Sequence, residues 1–212
     1  MKSFNNKTVG WITIAAGISA LIGTLAMIEF MVIGNSGLFS DYISIFTAVL
    51  MLPLMIALGK IAMTKQENLG RGVLILGVLG ALINFVGGII NVIALEGIIE
   101  YYHSADWIYV GGGLVGIAIL TFALLNRTNP EMKASYVWFS ILFGLGACTF
   151  LLGLIVRDEL NALMRFEITF AEASPFLMGM LFFGAPVFIL GQPIWLLLSG
   201  RLFLKGKLAF PE

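Results

Sequence analysis

"GVLILGVLGALINFVGGIIN", residues 72–91, decides the fold. The stretch runs without a Lys, Arg, Asp or Glu. At 1.5 Å per residue, about 20 helical residues cover about 30 Å, the thickness of a bilayer's hydrocarbon core. Its small and polar residues are not scattered. Gly77, Gly80, Asn84, Gly87 and Asn91 recur at spacings of 3, 4, 3 and 4, which draws them onto one side of a helix. Leu, Ile, Val and Phe fill the other sides. In lipid, apolar side chains gain little by leaving the chains around them, so close approach at small residues holds helices together. The stretch therefore reads as a spanning helix with one contact face.

The rest of the chain agrees. Of its 212 residues 59% are hydrophobic and 11% charged, with a mean hydropathy of +1.01. A soluble domain carries about 25% charged residues. Apolar segments of spanning length fall at Val9–Ile33, Tyr42–Met63, Gly72–Leu95, Trp107–Leu125, Tyr136–Val156 and Phe176–Leu204. The expected fold is an all-α integral membrane protein of six transmembrane helices, a single domain over residues 1–212. No Ser/Gly linker or shift in composition divides it. Lys2 and Lys7 before Val9–Ile33 resemble a signal peptide, but the apolar run exceeds the about 7–15 residues of a signal core, so it reads as an uncleaved first span. Ser40-Asp41, Ser104 and Ser174-Pro175 stand where spans two, four and six should start, with Pro175 suited to a first helical position. Span one carries its own small-residue face in Gly10, Thr13, Gly17, Ala20 and Thr24, and span four offers Gly112-x-x-x-Gly116.

Charge sets the orientation. With the N-terminus in the cytoplasm, ten of the twelve basic residues fall inside, and only Arg157 and Arg165 fall outside. Both termini are then cytoplasmic, and a bacterial cytoplasmic membrane is the expected location. Most acidic residues gather at the outer face. The outer loop 157–174, "RDELNALMRFEITFAEAS", reads as an interfacial segment or as an extension of span five.

Span six contains "GAPVFILGQP", residues 184–193. Pro186 cannot donate to the Phe182 carbonyl, nor Pro193 to that of Ile189. An unpaired carbonyl in hydrocarbon is costly, so other groups must meet these two. The helix is expected to kink at both prolines. Either the freed carbonyls bond to neighbouring helices, or they and Gln192 face a ligand. Asn84 lies near mid-depth on span three, and Gln192 lies somewhat to the cytoplasmic side of mid-depth on span six. The two amides either bond each other or edge a cavity, with Asn91 and Glu29 above them towards the outer face. Asn84, Asn91, Gln192 and Glu29 are the candidate ligand-binding residues.

Most chemistry is excluded. No charged residue falls near mid-bilayer, which argues against proton relays and voltage sensing. One Cys and one His preclude a disulfide or bis-histidine haem within the chain. Phosphate-binding, zinc-hydrolase and serine-hydrolase motifs are missing. Net charge is zero, which gives no pull toward nucleic acid. Glu96, Glu100 and His103 share a helical face at i, i+4 and i+7, and Asp106 follows. They are a metal-binding candidate, set against a plain solvated loop. No catalytic residue and no cofactor is expected.

Two functions remain. One is a non-enzymatic accessory or lipid-binding interaction subunit, alone, self-associated or with a membrane-protein partner. The other is a transporter or binding protein for a small uncharged or amphiphilic solute, with its site between spans three and six.

Overall fold

A computed structural model describes residues 5–33, 38–95, 104–164 and 167–210. Most of these are helical, with no strand among them. The long helices are α1 (Asn6–Ile33), α2 (Leu38–Lys65), α3 (Glu67–Leu95) and α4 (Ser104–Leu125). α5 (Ala134–Cys148) tightens into a 3-10 helix over Thr149–Leu154. A short α6 (Arg157–Met164) follows, then α7 (Pro175–Gly179), a π-helical turn at Met180–Gly184 and α8 (Ala185–Leu204). Six spans are long and apolar enough to cross a membrane, the last running through α7, the π turn and α8.

The spans close into a ring in chain order. α1 packs on α2, α2 on α3, α3 on α4, α4 on α5, and α5 and α1 both on α8. The two chain ends therefore meet. Asn6 Oδ1 accepts from the Phe210 amide at 3.1 Å, and Lys60 lies over the Phe210 ring. We call this the terminal end and its opposite the far end.

Small residues set the closeness of the ring. A methyl group at Gly200 would stand 2.8 Å from the Gly10 carbonyl oxygen, and one at Gly17 would meet the Leu197 side chain and backbone. The α3 stripe serves two neighbours. Gly77 faces Met55 of α2, while Gly80 and Gly87 face α4. Gly116 of α4 faces the α5 backbone at Cys148.

Helix starts follow local chemistry. Ser174 caps α7, its Oγ accepting from the Leu177 amide at 3.2 Å, with Pro175 at the first helical position. α2 begins at Leu38, a turn before the expected start, so Ser40 and Asp41 lie inside its first turn. A carboxylate there is favoured by the helix dipole. The 157–174 segment, expected as an interfacial segment or an extension of span five, does not continue span five as one helix. A turn at Ile155–Val156 separates α6 from the 3-10 helix. Leu160 and Leu163 then pack back on Val156, Leu177 and Met180. Glu159 fixes this fold-back by accepting from both the amide and the hydroxyl of Ser174.

Candidate functional site: a polar-edged cavity inside the ring

The ring holds a partly open cavity of about 250 Å³, lined by residues of every span. It runs from the middle of the bundle to the far end. On α2 its wall extends from Ser40 to Met51, roughly 16 Å at 1.5 Å per residue. The α2 contribution follows helical phase, with Asp41, Ser44, Ala48 and Met51 at steps of 3, 4 and 3. Asn84 and Gly88 enter from α3, and Phe188 and Gln192 from α8. Ile108 of α4 and Phe150 of the 3-10 helix line it as well, with Phe150 and Phe188 tilted against each other at 4.6 Å between ring centroids.

Most hydroxyl groups in the wall are already satisfied. Thr47 donates to the Ile43 carbonyl at 2.9 Å, and Ser44 to that of Ser40 at 2.9 Å. The amides are not. Asn84 Oδ1 is buried, packed against the Gly111 backbone, and has no hydrogen-bond partner among the described residues. Gln192 donates to the Met51 thioether, Nε2 to Sδ 3.4 Å, and sulfur is a weak acceptor. Asn84 and Gln192 thus share one cavity without a hydrogen bond to each other.

The carbonyl opposite Pro193 has found its partner. Thr24 of α1 donates to the Ile189 carbonyl at 3.0 Å. The proline therefore creates an acceptor, and a neighbouring helix fills it. Pro186 lies in the first turn of α8, directly after the π turn. Gly184 closes that turn against Thr149, whose hydroxyl occupies the space where a side chain would begin. A Thr24→Val variant is expected to lose about 0.6–1.7 kcal/mol of stability, the range of interhelical hydrogen bonds in membranes. Pro193→Ala should erase most of that loss, because the alanine restores a backbone N–H for the Ile189 carbonyl. A double-mutant cycle by reversible unfolding checks this, and additive losses would sink it.

The other candidates lie differently. Asn91 is buried one turn beyond Gly88 and hydrogen-bonds Asp41, so it stands behind the wall. Glu29 is exposed and does not line the cavity. Glu96, Glu100 and His103 lie outside the described residues. Asp106 is bound by Arg157, Oδ2 to Nη1 2.8 Å, which ties α4 to α6. That hydrogen bond, and then the carboxylate's charge, raises the Arg157 pKa above its ordinary value.

Sequence reasoning named Asn84 and Gln192 and missed most of the wall, Asp41, Phe150 and Phe188 among it. Asp41 reads as a cap, yet its phase with Ser44, Ala48 and Met51 was available. Phe150 and Phe188 carry no signal among so many apolar residues. Comparison with protein-family models, curated proteins and solved structures finds no match to this chain. Fold and site together are those of a chain with six helices long and apolar enough to make a multi-pass membrane protein, closed in chain order around a partly polar cavity.

Proposed function

We propose that the protein is a non-enzymatic membrane protein that binds a small uncharged or amphiphilic molecule in the cavity between α3 and α8. One observation carries this reading. Two amide side chains face one cavity, Asn84 Oδ1 is buried without a partner among the described residues, and the amides do not bond each other. A buried unsatisfied polar group costs about 1–3 kcal/mol. The orphan oxygen itself lies against Gly111 of α4, so contact with a ligand falls to the rest of the Asn84 side chain and to Gln192, and keeping an amide there at a cost to packing supports a binding role. The same reading puts both termini in the cytoplasm, as the basic residues direct, and bends span six at Pro186 and Pro193.

Paired substitutions test it. Asn84→Leu and Gln192→Leu should each raise unfolding stability, Asn84→Leu by about 1 kcal/mol as the orphan oxygen is removed. Native mass spectrometry of gently extracted protein should show a bound small molecule or lipid on the parent and none on the double variant. Destabilisation by both leucines, with the parent carrying nothing, would overturn the reading. A protein partner at fixed stoichiometry would instead establish the accessory-subunit role, which the glycine-tight ring and the single-residue α2–α3 connection favour.

A further inference from the structure

We infer that the cavity selects an organic monocation, an amine or quaternary ammonium on a short apolar body, with Asp41 as its counter-charge. The inference rests on the binding reading above and assigns the ligand's charge. Among the described residues, Asp41 is the one ionisable carboxylate in the wall, and no Lys, Arg or His lines it. Asn91, behind it, is an uncharged partner, and no cationic side chain among the described residues of the wall balances the carboxylate. Desolvated charges gain most from an opposite charge brought into the same enclosure. The remaining surfaces suit such a ligand. Phe150 and Phe188, in contact with each other, line the same cavity as Asp41, and aromatic faces attract organic cations, most strongly when water is excluded. Met51, about 15 Å along α2 from Asp41, adds apolar surface for the body. An anion would meet Asp41 with nothing to offset the repulsion. A neutral ligand would leave the partly desolvated carboxylate with Asn91 alone and no opposite charge from the described wall.

The test uses the full chain in zwitterionic-lipid nanodiscs, with empty discs subtracted, and three probes that differ only in the head group. These are 4-phenylbutylamine, 4-phenylbutanol and 4-phenylbutyrate, measured by isothermal titration calorimetry. The amine is expected to bind at least tenfold tighter than the alcohol, and the acid weakest. Asp41→Asn, which keeps size and hydrogen-bonding capacity, should reduce amine affinity to that of the alcohol and leave the alcohol unchanged. The ranking on the parent protein is decisive even if that variant folds poorly. Equal or better binding of the alcohol or the acid would overturn the assignment of charge while leaving the cavity reading in place. A preference for the amine that survives Asp41→Asn would overturn the role of Asp41. Binding of none of the three would overturn the inference together with the cavity reading.

Discussion

Gly70→Ala will destabilise the protein by about 2 kcal/mol, while Gly72→Ala, two residues on in the same helix, will stabilise it by up to about 1 kcal/mol. A side chain at Gly70 would begin on top of the Met63 amide nitrogen and Cα, and 2.6 Å from the Ala62 carbonyl carbon. These are backbone atoms of α2, so no rotamer change can clear them. Nor can the helices ease apart there. Gln66 is the sole residue between α2 and α3, and the Gly70 amide donates to its carbonyl at 2.8 Å. Opening the gap means opening the hairpin. At Gly72 a methyl group meets nothing within 4 Å. Both substitutions gain the same helix propensity, so their difference isolates the steric effect, about 3 kcal/mol. Reversible unfolding by steric trapping or mixed-micelle titration reads it. Similar behaviour of the two variants would mean that the hairpin is looser than its backbone contact implies.

That contrast also marks how far the sequence could be read. The stripe Gly77, Gly80, Asn84, Gly87 and Asn91 was legible because helical periodicity alone puts those residues on one face. It could not say that the face looks into the groove between two helices, with Gly77 on α2 and Gly80 on α4. Gly70 carries no such pattern, since its need for space comes from a neighbour within a tight connection. The loss of a hydrogen bond at Pro193 followed from covalent structure, and so did the demand for a substitute donor. That the donor is Thr24, from the far end of the chain, depends on ring closure between α1 and α8. The π turn at Met180–Gly184 had no local signature at all. It sits where Gly184 packs on Thr149, a tertiary contact. Asp41 reads as part of a cap because Ser-Asp precedes an apolar run, and α2 simply starts earlier.

The ring is unevenly built, and its second half supports the other large prediction. Towards the terminal end, α5 and α8 are joined by a closed circuit of buried hydrogen bonds. Trp195 Nε1 donates to Ser140 Oγ at 2.9 Å, and Ser140 donates to the Tyr136 carbonyl at 2.8 Å. Ser199 donates to the Trp195 carbonyl at 2.7 Å, and the Ser199 and Tyr136 hydroxyls bond each other at 2.9 Å. Each helix offers one aromatic residue and, four residues on, one serine. Every bond crossing between the helices thus leans on a serine anchored to its own backbone. Trp195 also stacks on Phe143, ring centroids 5.4 Å apart, and both side chains are fully buried. Trp195→Ala is expected to cost about 3 kcal/mol, the low end for a buried tryptophan, since in lipid the packing loss survives while the transfer gain does not. Trp195→Phe keeps the stack and loses one donor, so it should cost about 1 kcal/mol. Ser140→Ala strands the indole N–H in a dry core and should cost at least as much. Combined with Trp195→Phe, it should add little more, because the stranded donor is gone. Strictly additive losses in that cycle would show the circuit to be separate contacts. The circuit shares no residue with the cavity wall, so these variants should weaken the fold and leave the affinity for a bound amphiphile unchanged. A stability-binding separation of this kind is what a clamped half beside an open half predicts.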